Sequence, residues 1–245
     1  MFLPTAAIDL KIILQKHKVG IVTGSDLNYV KEQCEDLFNK CTNSVLENLI
    51  IMPCNGTKRY TWTFGGFHSE HSASVIEEWG RDRFHALIKI LIGEQAFAQG
   101  IPGFNEIRIY HDFIDYRESL INWCPIGRSA GLDIRTQFIA IDEAYNIRDT
   151  LIYRLNRELS SSLPDILDKI TIKKGGQTSV DIFPKGWNKT YALRHCEGDV
   201  YFVGDSCEPS GNDYELFKLL EHEGKSFKVE SPDDTLRLIS KFLEM

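Results

Sequence analysis

The hydrophobic and polar positions of the N-terminal part follow two periods, that of short buried strands and that of helices. Apolar runs at 19–23 and 49–53 predict strands. The first run ends in the small polar turn Gly24-Ser25-Asp26, and a helix is predicted from there to about Lys40. A strand, a polar turn and a helix in this order are typical of a parallel sheet.

Two further patterns flank these strands. Pro4 and Thr5 are predicted to begin an amphipathic helix that continues to about His17. The pair Asn55-Gly56 predicts a hairpin turn into the segment KRYTWTF.

From about Ser72 the pattern changes. We expect a long helix over 74–98, alternating segments at 106–117 and 119–126, helices between Leu132 and Leu159, and strands at 170–174 and 178–183. Strands paired in hairpins and then covered by helices are typical of an α+β unit. The sequence therefore predicts an inserted domain at 74–185.

The C-terminal part returns to the first pattern. It predicts a helix at 187–195, strands at 200–204 and 226–230, a helix at 213–222 between them, and a last helix from Pro232 that Ser231 or Asp233 caps. Residues 1–73 and 186–245 are thus predicted to form one sheet with helices on both faces. Ligands of such sheets bind at the carboxyl ends of strands, where Ser25 and Asp205 are both expected.

Composition narrows the class of protein. The chain has 245 residues, with 28 basic and 35 acidic ones and a net charge of −7, which argues against a nucleic-acid partner. Six cysteines without a C-x-x-C pair predict reduced thiols. The start lacks the features of a signal peptide, and no apolar run is long enough to span a membrane. We therefore expect a cytoplasmic protein without a membrane partner.

Four residues in the predicted sheet domain could handle a phosphoryl group. Ser25 offers a hydroxyl and backbone N–H groups at a helix start, although a plain helix cap is the alternative. Lys189 is a lone cation at another helix start, or simply a surface lysine. Asp205 and Asp213 follow a buried strand and would suit Mg²⁺, although strand-end turns also favour Asp.

The predicted insert contains a second group of candidates. Arg117, Arg128 and Arg135 lie close together in sequence and could bind phosphate through paired N–H groups, with solvated arginines as the alternative. Ser179 and Asp181 would lie near them if the strands pair, and Asp181 could bind sugar hydroxyls. The pair His68 and His71 has no partnering carboxylate motif, so both are expected to be solvated.

Four motifs together resemble one family. They are VTGSD at 22–26, YRESLINWCPIGR at 116–128, GGQTSVDIFPKGWNK at 175–189 and VGDSCEPSGND at 203–213. They resemble the eukaryotic-type phosphomannomutases of the haloacid-dehalogenase superfamily, over roughly 19–56 and 113–238. The resemblance implies an α/β fold, a Rossmannoid parallel-sheet core with an inserted α+β cap.

The resemblance also implies roles for the candidates. Ser25 and Lys189 would hold the transferring phosphoryl group, and Asp205 would bind Mg²⁺ with Asp213 close behind. The sugar phosphate would be bound by a cap set: Arg117, Arg128, Arg135, Ser179 and Asp181. The family interconverts mannose 6-phosphate and mannose 1-phosphate through a sugar 1,6-bisphosphate, supplies GDP-mannose synthesis, and forms homodimers through the cap.

One departure from the family concerns the chemistry itself. The family's first core strand ends in D-x-D-G-T, whose aspartates are the nucleophile and the general acid/base, and this motif does not occur in the 245 residues. We expect a natural product that is longer at its N-terminus. The alternatives are a sugar-phosphate-binding protein without a nucleophile and a sugar-phosphate phosphatase of the same fold. Three arginines favour a mutase, because a bisphosphate must be held by its distal phosphate while it reorients.

Overall fold

The computed structural model describes residues 10–209 and 211–244 and divides the chain into two compact units. One unit comprises Met1–Ser72 and Gly186–Met245 and is here called the split unit. The other, Ala73–Lys185, is called the inserted unit. The predicted helix start at Pro4 and Thr5 lies outside the described residues; α1 is described over 10–14.

The first half of the split unit is built on a four-stranded sheet of order β1-β2-β3-β4. Strands β1 and β2 are parallel, and β2, β3 and β4 are antiparallel neighbours. Its elements after α1 are β1 (Val19–Val22), α2 (Leu27–Gln33), α3 (Glu35–Lys40), α4 (Asn43–Leu46), β2 (Leu49–Met52), β3 (Lys58–Thr63) and β4 (Gly66–Ser72).

The single helix predicted to reach Lys40 is wrong, because the chain breaks at Cys34 into α2 and α3. Cys34 leaves the helical conformation, with φ −105° and ψ 12°. Its side chain is buried in one hydrophobic cluster with Val30 and Leu37, so packing on both sides of the break outweighs the propensity for one continuous helix. Burial also raises the pKa of the Cys34 thiol to about 11.

The second half of the split unit forms a separate parallel pair of strands. Its elements are the 3₁₀ helix Lys189–His195, β9 (Phe202–Gly204), α10 (Tyr214–Glu221), β10 (Ser226–Lys228) and α11 (Pro232–Glu244). The single predicted sheet is thus divided in two across the residues that the structure describes. Val22 of β1 packs against the cluster of Phe202 and Leu216, so side chains rather than a backbone ladder join the two sheets.

The segment predicted as a helix over 187–195 is the 3₁₀ helix Lys189–His195, which is called the Lys189 helix below. Asn188 caps it by accepting a hydrogen bond from the backbone N–H of Thr190 at 3.0 Å. A glycine is needed where this helix meets the turn after β2. A Cβ on Gly56 would lie 2.7 Å from Cα of Ala192, and Gly56 has φ +85°. Close packing at this contact therefore fixes the Lys189 helix against the first sheet.

The inserted unit is an antiparallel sheet of order β5-β6-β8-β7 with helices packed on it. Its elements are α5 (Val75–Trp79), α6 (Arg81–Ala98), β5 (Ile114–Tyr116), β6 (Ile121–Trp123), α7 (Leu132–Tyr145), α8 (Ile147–Ser162), α9 (Pro164–Leu167), β7 (Ile170–Gly175) and β8 (Ser179–Pro184). Ile121 and Trp123 are fully buried. The intervening Asn122 therefore points to the opposite face of the sheet.

Two predictions for the inserted unit are wrong in detail. The helix expected over 74–98 is broken at Gly80, whose φ of +85° is incompatible with a continuous α-helix. The alternating segment that was expected to be extended from 106 is strand only from Ile114 to Tyr116; Phe104–Glu106 is a 3₁₀ turn and 108–113 is irregular.

The Gly56 contact makes a testable prediction about stability. Gly56→Ala is expected to lower the free energy of unfolding by about 3 kcal/mol, through backbone strain and overpacking against Ala192. Gly65 is a matched control, because it has φ +80° but no atom within 4 Å of an added Cβ. Gly65→Ala should therefore cost only about 1 kcal/mol of strain. Urea unfolding of both variants measures the difference, and equal losses would show that the close contact does not matter.

Candidate functional site

The turn after β1 leaves the Ser25 hydroxyl free. Asp26, rather than Ser25, caps α2, because its Oδ1 accepts a hydrogen bond from the backbone N–H of Tyr29 at 2.9 Å. The Thr23 hydroxyl accepts a bond from the Ser25 N–H at 3.1 Å. Within the described residues the Ser25 side chain has no hydrogen-bond partner, so its hydroxyl can donate to a ligand.

Lys189 and Asp213 form a buried ion pair. The Lys189 Nζ donates to Asp213 Oδ1 at 2.5 Å, and the two side chains are 11% and 3% exposed. The second carboxylate oxygen, Oδ2, accepts the backbone N–H of Ser206 at 3.1 Å. Both oxygens of Asp213 therefore serve protein donors, and in this structure Asp213 is first of all the partner that holds Lys189.

Asp205 lies directly after β9 and is exposed, with no ion pair or hydrogen bond among the described residues. The charges of Asp205 and Asp213 both act on the thiol of Cys207. Burial raises the pKa of Cys207, and Asp213 and Asp205 raise it further, whereas Lys228 and Lys189 oppose the rise. The strand end thus carries one paired and one free carboxylate.

This donor set suits a hard cation only when a ligand helps to hold it. Nowhere in residues 10–209 and 211–244 do three or more His, Cys, Asp or Glu side chains cluster as a metal site. Mg²⁺ is commonly held by one or two carboxylates, completed by waters and substrate phosphates. Asp205 fits that role, and Asp213 fits it less well because its oxygens are already engaged.

The turns that carry Ser25 and Lys189 are tied together through residues 54–56. The Cys54 N–H donates to the Ser25 carbonyl at 2.9 Å, and the Asn55 N–H donates to the Thr23 carbonyl at 2.7 Å. Gly56 then packs on the Lys189 helix. The segments that follow β1 and precede β9 therefore belong to one connected edge of the split unit.

The inserted unit brings a second set of predicted residues together on the polar face of its sheet. Asp115, Asn122 and Asp181 are direct cross-strand neighbours on β5, β6 and β8. The Asn122 amide donates to Asp181 Oδ1 at 2.6 Å. The Arg128 Nη1 donates to Asn122 Oδ1 at 2.9 Å, which extends the row to an arginine.

Asp115 joins two of the three predicted arginines. Its Oδ2 lies 2.8 Å from the Nε of Arg117 and 3.2 Å from the Nε of Arg128. Because each arginine uses its Nε here, both Nη groups of Arg117 and the Nη2 of Arg128 keep donors for a ligand. The pair has the arrangement expected of a bidentate anion site.

Arg135 uses its guanidinium mainly for hydrogen bonds within the protein and has fewer donors left for a ligand. Its Nε and Nη2 donate to the carbonyls of Ala130 and Arg128 at 2.9 and 2.6 Å, and its Nη1 donates to the Thr178 hydroxyl at 3.2 Å. Arg135 thereby fixes the loop that presents Arg128. Ser179 is buried, and its hydroxyl has no hydrogen bond within the described part of the chain.

Two residues of this row, Asp115 and Asn122, were not singled out from the sequence. Alternation along β5 puts Asp115 on the same face as Arg117, which was a usable signal. The pairing of Asn122 with Asp181 depends on register between distant strands and had no local signal. The position of Asp181 also explains why residue 175 is a glycine. A Cβ at Gly175 would lie closer to the Asp181 carboxylate than van der Waals contact allows.

The prediction that His71 is solvated is wrong. The His71 Nε2 lies 3.0 Å from the Tyr191 hydroxyl, and its ring centroid lies 4.9 Å from that of His195. His68, in contrast, is exposed as expected. The surrounding segment is rich in Gly and Ser, which is typical of a loop, and it gives no sign that His71 on β4 faces the Lys189 helix.

Comparison with known proteins gives consistent results. A family model described as eukaryotic phosphomannomutase matches residues 8–245. A phosphomannomutase of Drosophila melanogaster is 38% identical over 93% of this chain and 82% of its own length. One of Arabidopsis thaliana is 40% identical over 89% of this chain and 80% of its own length.

Among solved structures, an IMP-bound mutant of the IMP-nucleotidase of Plasmodium falciparum superimposes with a TM-score of 0.59 at 14% identity. The match covers all of this chain, which spans 64% of the length of that one. At this identity the likeness concerns the fold alone. It agrees with the α/β class expected for haloacid-dehalogenase-like proteins.

Proposed function

The chain belongs to the eukaryotic phosphomannomutase family, and on this premise we propose that it interconverts mannose 6-phosphate and mannose 1-phosphate. The reaction would pass through a sugar 1,6-bisphosphate and supply GDP-mannose synthesis. The observation that carries the proposal is the buried Lys189, held by Asp213 in the segment after β9, which also carries the exposed carboxylate of Asp205.

Lys189 and Ser25 would act on the transferring phosphoryl group. A buried ammonium stabilises negative charge on phosphoryl oxygens more strongly than a solvated one, because little water screens it. The Ser25 hydroxyl would donate a hydrogen bond to one of the same oxygens. The Ser25 turn is tied by a backbone hydrogen bond from Cys54, and Lys189 is held by Asp213, so little reorganisation accompanies phosphoryl transfer.

Arg117 and Arg128 would bind the phosphate that does not react. Their free Nη groups can form charge-assisted hydrogen bonds, and Asp115 neutralises part of their mutual repulsion. Asp181 and Asn122 beside them would bind sugar hydroxyls. A second anion-binding set of this kind supports a mutase over a phosphatase, because a bisphosphate must be retained between two transfers.

Asp205 would hold Mg²⁺ together with phosphate oxygens and water. When bound, the cation supplies charge neutralisation at the phosphoryl group. The residue's exposure and its freedom from protein partners support this assignment. Asp213 would contribute chiefly by fixing Lys189.

A second candidate function rests on a specific observation of the sequence. The D-x-D-G-T motif does not occur in the 245 residues, so no residue of this chain is assigned as the nucleophile. A protein with these anion-binding groups and no nucleophile would bind sugar phosphates without transferring a phosphoryl group. Turnover, rather than binding, separates the two candidates.

We further propose a homodimer formed through the inserted unit, in the cytoplasm. Two of its helices expose large apolar side chains, with Ile92 of α6 53% and Tyr153 of α8 69% exposed.

All six cysteines are free thiols, which supports a reducing compartment. Within the described ranges, none of the helices has the length and apolar character needed to cross a bilayer. Sedimentation of the wild type and of Tyr153→Glu would test the dimer.

The mutase proposal predicts turnover that depends on Lys189. The chain is incubated with Mg²⁺, mannose 1-phosphate and a catalytic amount of sugar bisphosphate, and mannose 6-phosphate is followed by phosphorus NMR. Lys189→Ala is expected to lower kcat by about 10²-fold or more, because transition-state charge loses its buried cation. Lys31→Ala, which removes an exposed lysine of the split unit, is the matched control and should leave kcat unchanged.

The same assay also tests the role of Asp205 and distinguishes the mutase from a sugar-phosphate-binding protein without turnover. Asp205→Asn should raise the Mg²⁺ concentration needed for half-maximal rate. Unchanged turnover in Lys189→Ala would refute the assigned role of Lys189. Binding of mannose 1-phosphate without turnover by the wild type would establish the second candidate instead.

The anion site on the inserted unit predicts a loss of affinity in Arg128→Gln. Titration calorimetry with mannose 1-phosphate should show a Kd raised about 10- to 100-fold. This factor corresponds to the free energy that charge-assisted hydrogen bonds to phosphate contribute. Arg157→Gln is the control, since Arg157 forms only an exposed pair with Glu158 and should leave the Kd unchanged. Equal Kd values for both variants would exclude Arg128 from the binding site.

A further inference from the structure

A second basic site lies where the β3–β4 hairpin meets the Lys189 helix, and it shares no residue with the set assigned above. Arg59 and His71 are cross-strand neighbours on β3 and β4. Tyr191 and His195 of the Lys189 helix contact His71, and Arg194 of the same helix packs on the ring of Tyr191. These five residues are called the basic cluster below.

Direct contacts define the basic cluster. The ring of His71 packs 4.9 Å from that of His195, and the guanidinium carbon of Arg194 lies 4.3 Å above the ring of Tyr191. The His195 Nε2 lies 2.8 Å from the Gly56 carbonyl. Since a carbonyl only accepts, Nε2 carries the proton, and Nδ1 is the atom that can take up a second one.

No acidic side chain forms an ion pair with the basic cluster among the residues that the structure describes. Neither Arg59 nor Arg194 forms an ion pair there, although the whole chain carries a net charge of −7. The Nε of Arg59 is also buried without any hydrogen-bond partner within the same residues. Buried donors are almost always satisfied, so this guanidinium N–H is available to an acceptor from outside the chain.

The pKa of His195 also reflects the excess of positive charge in the basic cluster. Burial lowers the pKa of His195, and the neighbouring His71, Arg59 and Arg194 lower it further, while the hydrogen bond to Gly56 opposes the change. Because this pKa lies below that of the unfolded chain, folding stability is lost as the pH falls through the unfolded value. An acceptor with negative charge at this place would reverse the penalty.

We propose that the basic cluster binds a small tetrahedral oxyanion, phosphate or sulfate, independently of the sugar-phosphate site. Its oxygens would accept the N–H groups of Arg59 and Arg194 and, once it is protonated, of the His195 imidazole. Arg194 is exposed, and Arg59, His71 and His195 are half-buried, so an ion can reach the basic cluster from solvent. Phosphate and sulfate share this geometry, and charge distinguishes them near neutral pH.

Occupancy would connect two parts of the split unit. Tyr191, Arg194 and His195 belong to the same short helix as Lys189, whereas Arg59 and His71 belong to the hairpin. An anion between them would tie the helix to the hairpin. The concentration of free phosphate would then affect how firmly Lys189 is held.

The test uses the whole chain and follows the imidazole proton resonances of its seven histidines by NMR. Those of His71 and His195 are assigned with His71→Gln and His195→Gln. Addition of sulfate, and separately of inorganic phosphate, is expected to shift both resonances in a saturable manner at millimolar concentration. The sulfate Kd should fall several-fold between pH 8 and pH 6, because the bound ion favours the protonated imidazole of His195.

Matched variants decide whether the basic cluster is responsible. Arg59→Gln and Arg194→Gln should each raise the sulfate Kd about tenfold, as expected for loss of one charge-assisted contact. Arg194 is exposed, so its variant keeps the test valid if Arg59→Gln fails to fold. Lys31→Gln removes the same charge elsewhere and should change nothing. Shifts that do not saturate, or an unchanged Kd in Arg194→Gln, would overturn the proposal.

Discussion

The structure of the candidate site depends on one buried ion pair, that of Lys189 with Asp213. Removing two charges from water is costly unless each is paired and further hydrogen-bonded. Here Asp213 meets this condition by accepting from both Lys189 and the Ser206 backbone. The pair therefore connects the Lys189 helix to the loop after β9, and it fixes a cation at a strand end.

A related arrangement recurs on the polar face of the inserted unit. Asp115 binds Arg117 and Arg128 through their Nε atoms and leaves their outer N–H groups unused. In both units a carboxylate thus holds a cation in place without consuming all of its donors. The basic cluster is the exception within the described residues, since its arginines have no carboxylate, and this difference is the basis for assigning it an external anion.

Local sequence patterns were sufficient for the strands and turns that place Ser25, Lys189 and Asp205. They failed where distant residues decide the outcome. The break at Cys34 comes from packing into a shared cluster, and the partnership of Lys189 with Asp213 joins residues that no periodicity relates. Asn122 and His71 acquire their contacts through strand register and through packing on a helix. The four resembling motifs indicated the family, but they could not show that Arg135 is occupied by backbone carbonyls.

The most direct test of this account is a double-mutant cycle on the buried pair, with Lys189→Met, Asp213→Asn and the combined variant. Urea unfolding gives the free energy of unfolding of each. We expect each single change to be strongly destabilising and the coupling free energy to be about 2 kcal/mol or more, as for groups in one buried charge network. Additive losses, with a coupling free energy within about 0.5 kcal/mol of zero, would contradict it, because Lys189 would then not be held by Asp213.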